Sequence, residues 1–225
     1  MKIVCVIPAW NEAKTIESSA LPRIVDELKS IVDLVVVVED GSKDFTKQVA
    51  ENLDVDLLSH ALNRGQGAAL KTGTEYALEQ GADIIVHFDA DGQFRAQDIK
   101  TVVEPIVSGR ADIVYGSRFL DDSTKMPISK KNIIMPLARF INSFLFGIKT
   151  TDPQSGFRAF SRKAAQQIDW HQDEMAHCSE ILVSAHRTRL PLVEVPITVI
   201  YDEYGQGIGE GFKILRDLFF AKMNN

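Results

Sequence analysis

The five residues Asp89-Ala90-Asp91-Gly92-Gln93 place two carboxylates and a carboxamide directly after the apolar run Asp83–Phe88. In an extended chain, side chains at i, i+2 and i+4 share a face, so Asp89, Asp91 and Gln93 would converge on one point. Two carboxylates and an amide oxygen suit a hard divalent ion, Mg²⁺ or Mn²⁺, with diphosphate oxygens completing its shell. An acidic surface turn is the competing reading, because such triplets are common. A calcium loop is excluded. With Gly92 at its turn position, His87 falls where the first carboxylate should be, and a strand where the entering helix should be.

Three further polar segments could face the same ligand. Glu39-Asp40-Gly41-Ser42 follows an apolar run, and Asp40 could accept hydrogen bonds from a ribose or base. Equally, Ser42 or Asp44 could simply cap the next helix. Asn63-Arg64-Gly65-Gln66-Gly67 is a glycine-rich turn that could bring backbone N–H groups and Arg64 to an anion, although it lacks the rest of a dinucleotide fingerprint. Gly116-Ser117-Arg118-Phe119 could carry Arg118 into the crevice or into a surface ion pair. His87, His171 and His177 have no metal-ligand spacing and read as ordinary satisfied histidines.

These segments need a scaffold, and the hydrophobic pattern supplies one. Ile3–Ile7, ended by Pro8, Leu34–Val38, Val55–Leu58, Asp83–Phe88 and Asp112–Tyr115 read as strands. Thr15–Val32, a helix through Phe45, Val49 and Leu53, Gln66–Gln80 and Gln97–Val107 read as the helices between them. Continuous β-branched runs are expected of strands buried on both faces. Alternating strand and helix implies right-handed crossovers and an α/β fold, a Rossmann-like, mostly parallel open sheet with helices on both faces. Ligands of such sheets bind beyond the carboxyl ends of the strands, where PAWNE, EDGSKD and DADGQ all fall. Further on, Phe157–Phe160 and Leu192–Ile200 read as strands and Cys178–Arg189 as a helix. Gly205, Gly207, Gly209 and Gly211 mark a loop before a last amphipathic helix near Phe212–Met223. The chain reads as one domain, 1–225, in two halves, 1–117 and 118–225, the strand–helix rhythm changing after Ser117.

Composition removes several classes. Among 225 residues, 25 basic against 31 acidic side chains leave a net charge of −6, which argues against a nucleic-acid binder. Cys5 and Cys178 form no CxxC pair, so neither a disulfide scaffold nor a structural zinc site is expected. The opening apolar run is too short for a signal peptide, and no run reaches the ~18 apolar residues of a spanning helix. A cytoplasmic protein is expected. Residues 123–149 carry five basic side chains and no acid, interleaved with aliphatic and phenylalanine residues. That stretch could lie peripherally in a membrane interface, or pack on the sheet with a solvated basic face.

Taken in order, PAWNE, EDGS, NRGQGAA, DADGQ, GSRF and DPQSGFRAF resemble the family 2 inverting glycosyltransferases of the GT-A fold. The resemblance spans roughly residues 2–200 and is nearest to the branch of dolichyl- and polyprenyl-phosphate mannose synthases. It implies that Pro8, Ala9, Trp10, Asn11, Glu12 and Asp40, with Arg64 and Asp89, line the nucleotide pocket. It implies that Asp89, Asp91 and Gln93 hold Mg²⁺ or Mn²⁺ on the donor diphosphate. Arg118 would face a donor or acceptor phosphate, and Asp152, Ser155 and Arg158 would lie near the reacting centre, the last two on the acceptor side.

The chain departs from that family at Trp10 for Tyr and Glu39 for Asp, changes that keep an aromatic face and the charge, and at Gln66, where the family often has Lys. After Tyr201 it has YDEYGQGIGEG where lipid-phosphate members carry a basic, serine-containing segment. The acceptor is therefore left open between a polyprenyl phosphate and a glycan. The implied reaction moves a hexose from a nucleotide sugar of the GDP-mannose or UDP-glucose class by in-line displacement at the anomeric carbon. A phosphate acceptor needs no strong base, because it is mostly dianionic at neutral pH. A hydroxyl acceptor does, with Asp152 the first candidate and Glu180 the second, although Asp152 could equally cap the turn before Pro153. Two rivals stand beside this reading. One is a catalytically silent nucleotide-sugar-binding subunit; the other is a nucleotidyltransferase, although IPAWNE is not the glycine-rich basic loop of that class. The sequence specifies no oligomeric state.

Overall fold

A computed structural model of the chain describes residues 1–120, 150–174 and 176–200. The basic stretch 123–149, the glycine loop and the last helix expected near Phe212–Met223 lie outside the described residues. Seven strands form one sheet. They are β1 (Ile3–Ala9), β2 (Leu34–Glu39), β3 (Asp56–Ser59), β4 (Ile84–His87), β5 (Ile113–Ser117), β6 (Arg158–Ser161) and β7 (Leu192–Pro196). The spatial order is β3-β2-β1-β4-β6-β5-β7. Every neighbouring pair is parallel except those of β6, which runs antiparallel to both β4 and β5.

The strands read as apolar runs because both faces are covered. Cys5 and Ile7 of β1, Val35 and Val37 of β2 and Val86 of β4 meet helices α1 (Leu21–Lys29), α2 (Thr46–Glu51) and α4 (Asp98–Val107). Alternate residues, Val4, Val6, Val36, Val38 and Ile85, meet α3 (Gln66–Glu79), the short α5 (Arg162–Ala165) and α6 (His177–Arg187).

Most boundaries shift by a residue or two from those read in the sequence, and three differences have a visible cause. Pro8 lies inside β1, paired with Val38, rather than ending it. It is tolerated because the β4 ladder stops at Val6↔His87, so its missing N–H faces no partner strand. Thr15–Val32 is not one helix. Thr15 and Ser18 form a capping box around a 3₁₀ turn at Ile16–Ser18, and Pro22 sits in the first turn of α1. A proline there is compatible with a helix start but not with a helix running through it. The last strand ends at Pro196, beyond which only an isolated bridge joins Val199 to Phe94.

The sheet order defines a switch point between β1 and β4. From β1 the chain adds β2 and β3 on one side, while β4 opens the other. Beyond that pair of carboxyl ends lie Trp10–Glu12 and Asp89–Gln93, in the crevice where such sheets bind ligands.

Candidate active site

The PAWNE loop is fastened to the loop after β2. Pro8 and Ala9 are buried strand residues, and the Ala9 carbonyl accepts from the Asp40 N–H at 2.9 Å. Asn11 takes a left-handed backbone, φ 55°, which asparagine tolerates better than most residues. Its N–H donates to Ser42 Oγ (3.1 Å), and its Oδ1 accepts from Lys43 N–H (3.0 Å). Glu12 N–H donates to Thr46 Oγ1 at 2.8 Å, and Ala13 N–H to Asp44 Oδ2 at 2.9 Å. Asp44 does cap the next helix, its Oδ1 accepting from the Thr46 N–H at 2.9 Å, and Ser42 and Asp44 together also hold the opposite loop. The outcome is that Trp10 projects, 49% exposed, with the Glu12 side chain beside it at the crevice.

Asp89 and Asp91 do come together, though not by strand alternation. Ala90 and Asp91 form a turn, and Gly92 has φ 77°. The Gln93 N–H donates to Asp91 Oδ1 at 2.9 Å, and the Gln93 carbonyl accepts from Ile200. Gln93 therefore serves the site first through its backbone, as a support for Asp91. Asp89 Oδ1 accepts from Gln66 Nε2 at 2.8 Å, so the glycine-rich turn reaches the acidic pair through a side chain named only as a departure in the sequence. From the other side the DPQSG segment closes in: a Cβ on Gly156 would sit 2.4 Å from Asp89 Oδ2, a space only glycine leaves free.

Electrostatics mark these acids as a unit. Burial, then the Asp91 charge, then that of Cys178, raise the Asp89 carboxyl to about 7 against the pull of Arg158 and His177. Burial, then Asp91 and Asp44, raise Glu12 to about 7. Burial also raises Asp91, partly offset by its bond from Gln93. Converging carboxylates that resist ionisation together are the donor chemistry a divalent cation relieves, so Mg²⁺ or Mn²⁺ fits Asp89 and Asp91. Among the described residues no group of three or more His, Cys, Asp or Glu closes around an ion.

Several candidate residues stand elsewhere. The Asp40 carboxylate is buried and accepts from His60 Nδ1 (2.6 Å), Asn63 Nδ2 (3.1 Å), Arg64 N–H (3.0 Å) and Gly65 N–H (2.7 Å). Its lone pairs are used, so it shapes the Asn63–Gly67 turn and does not receive a ribose. The Arg64 side chain lines a cleft of about 380 Å³ with Lys71, Trp170, His171 and Asp173, a cleft that includes none of Glu12, Asp89 and Asp91. Glu180 accepts from the His171 and Gln172 N–H groups at 2.8 and 2.7 Å, tying that loop to the first turn of α6. A base role for it has no geometric support.

Asp152 is fully buried and takes a two-pronged grip from Arg118, Nε to Oδ2 at 2.6 Å and Nη2 to Oδ1 at 2.7 Å. Its own N–H, with Thr150 and Thr151, is held by the Glu194 carboxylate. Both Asp152 oxygens are engaged, so the reading as a free general base fails, and the reading of Arg118 as a plain surface pair fails with it. Ser155 and Arg158 are buried too, at 1% and 0% exposure, and face the protein interior instead of an acceptor. Arg158 Nε donates to the Ser155 carbonyl at 2.8 Å and Nη2 to Cys178 Sγ at 2.9 Å. Nothing in residue spacing announces a contact between positions 158 and 178.

The seven-stranded, mostly parallel α/β sheet is the GT-A fold that the sequence resembles. The glucosyl-3-phosphoglycerate synthase of Mycobacterium tuberculosis, solved with Mn²⁺, UDP and glucosyl-3-phosphoglycerate, superposes with a TM-score of 0.71. The match covers 96% of this chain and 78% of that one at 20% identity, and so speaks for the fold. The glycosyl transferase family 2 model matches residues 4–169, and the chain belongs to that family. It is 36% identical to the UDP-N-acetylglucosamine–dolichyl-phosphate N-acetylglucosaminyltransferase of Methanococcus voltae, across 98% of this chain and 96% of that protein. It is 29% identical to the polyprenol monophosphomannose synthase of Mycolicibacterium smegmatis, across 97% and 84%. The protein is a glycosyltransferase. No helix among the described residues is long and apolar enough to cross a membrane.

Proposed function

We propose that this chain transfers a sugar from a nucleotide sugar, with Mg²⁺ or Mn²⁺, to a polyprenyl phosphate, inverting the anomeric centre. The observation that carries the reading is the placement of Asp89 and Asp91 on the loop beyond β4, steadied by Gln66 and the Gln93 N–H, next to the Trp10–Glu12 loop beyond β1 at the switch point. Trp10, exposed at the rim, offers a face on which a base can stack. Asp89 and Asp91 would hold the ion, with Gln66 and Gly156 fixing the Asp89 carboxylate. When bound, the ion neutralises charge developing on the departing diphosphate. Arg118, braced by Asp152, presents a fixed cation near the end of β5 that can meet a phosphate. A phosphate acceptor suits this wall, because no free carboxylate is needed to take its proton.

Relatives support a lipid phosphate over a glycan acceptor: those of Methanococcus voltae and Mycolicibacterium smegmatis are named for dolichyl phosphate and polyprenol monophosphate. The higher identity of the former favours a uridine donor, and UDP-N-acetylglucosamine is the first to try. Calorimetric titration with UDP-N-acetylglucosamine, UDP-glucose and GDP-mannose, each with Mn²⁺ and with chelator, tests the donor. Transfer of radiolabelled sugar to a short polyprenyl phosphate tests the acceptor. Metal-dependent binding of one donor with label in the lipid phase is expected; binding without any transfer would favour the silent-subunit reading.

A further inference from the structure

Arg158 is the largest fully buried side chain among the described residues. It begins β6, in lateral register with His87 of β4 and Tyr115 of β5, so the three form one row across the sheet beneath the crevice. A guanidinium keeps its charge in proteins, and a buried charge without a counter-ion is strongly destabilising. Among the described residues no carboxylate lies within ion-pair distance of Arg158. Its polar contacts are the Ser155 carbonyl, the Tyr115 ring at 5.7 Å and Cys178 Sγ at 2.9 Å, and Nη1 is left without a partner.

Cys178 is the second residue of α6, where the helix end favours an anion. Its neighbour His177 places Nε2 3.4 Å from the sulfur, while His177 Nδ1 lies 2.8 Å from the Glu174 carbonyl and so carries a proton. Two states conserve charge: thiol beside neutral imidazole, or thiolate beside imidazolium, the proton having moved from Sγ to Nε2. In the first, the Arg158 cation faces a neutral sulfur; in the second, it faces an anion.

We propose that Cys178 is a thiolate, the buried counter-charge of Arg158, and that this pair positions Asp89 for its ion. The surrounding charges agree. Burial alone would raise the thiol, but His177 and Arg158 outweigh it and bring Cys178 to about 6. Burial and Arg158 hold His87 well toward its neutral form, and burial keeps the Tyr115 hydroxyl protonated. Asp89 is the remaining acid whose charge Arg158 feels. With the thiolate engaging Nη2, Arg158 is kept from swinging onto the Asp89 carboxylate, which stays available beside Gln66. This consequence rests on the proposed donor site; the thiolate does not.

The first test is the ultraviolet thiolate absorbance of the wild-type protein followed against pH. Cys5 is buried in apolar surroundings that push its thiol up, so a low-pH signal can come only from Cys178. A thiolate signal rising through about 6 is expected. A signal absent until the ordinary thiol range near ~8.5 overturns the proposal. The second test compares wild type with Cys178→Ser, folding checked by circular dichroism, for Mn²⁺ affinity with UDP present. A loss of roughly ten-fold is expected of a residue that orients a metal ligand. Unchanged affinity overturns the coupling to Asp89. If neither protein binds Mn²⁺ with UDP or GDP, the donor-site reading fails while the absorbance still decides the thiolate.

Discussion

At Asp91 and Asp152 two carboxylates singled out in the sequence have opposite fates, and substitution separates them. Asp91 stands at the crevice rim with one structural bond, from Gln93 N–H, which an asparagine oxygen can also accept. Asp91→Asn is expected to keep the fold while cutting metal-dependent turnover by about 100-fold or more, the value of several kcal/mol of charge stabilisation. Initial rates against Mn²⁺ concentration, with a melting curve as control, check this. Near-normal rates would remove Asp91 from the site. Asp152→Asn should behave the other way. It strips one partner from a pair that is fully buried on the acid side and partly exposed on the arginine side, at a cost of about 3 kcal/mol. Urea denaturation reads that loss directly. Full stability with abolished activity would instead restore Asp152 as a base. The sequence could not distinguish these fates, because Asp152 meets Arg118 at a separation of 34 positions and no spacing rule links them.

The elements were more legible than their ends. Leu34–Glu39 and Ile84–His87 are strands for the reason visible in their composition, burial on both faces by helices that alternate with them in the chain. β6 was legible as a strand but not as an antiparallel one, since direction depends on where residues 118–157 lead the chain. The Asp89–Gln93 turn was misread as extended because Gly92 permits both conformations, and only the Asp91–Gln93 bond decides. The Asn63–Gly67 turn shows how an element can matter to a ligand it does not touch. Asp40 gathers its Arg64 and Gly65 N–H groups, and the same turn carries Gln66 to Asp89. Asp40→Asn replaces an acceptor-only group with one that is half donor, leaving buried N–H groups unmatched at about 1 to 3 kcal/mol. Faster hydrogen exchange at the Arg64 and Gly65 amides is expected, with weaker metal-dependent donor binding. Weaker donor binding with unchanged exchange would instead return Asp40 to direct contact with the nucleotide.

For the whole molecule the acid cluster makes stability and ion binding respond to pH in opposite senses. Glu12 and Asp89 hold their protons up to about 7 in the folded chain, above the ordinary carboxylate range near ~4. Their folded-state values are raised, so the stability they contribute is complete below ~4 and is lost as pH climbs toward 7. The metal-free protein should therefore lose stability across that window. A divalent ion binds the deprotonated acids and competes with those protons, so its affinity should rise over the same window. Mn²⁺ with nucleotide should raise the melting temperature clearly at pH ~8 and little at pH ~5.5. The net charge of −6 adds a general repulsion that also grows with pH, and Asp91→Asn removes the ion while changing that charge by one. The variant should retain the metal-free pH slope of wild type in softened form, because Asp91 supplies part of the rise at Asp89 and Glu12, and lose the Mn²⁺ response. Equal stabilisation by Mn²⁺ at both pH values would mean that the ion is held by groups already ionised at pH ~5.5, which Asp89 and Glu12 are not.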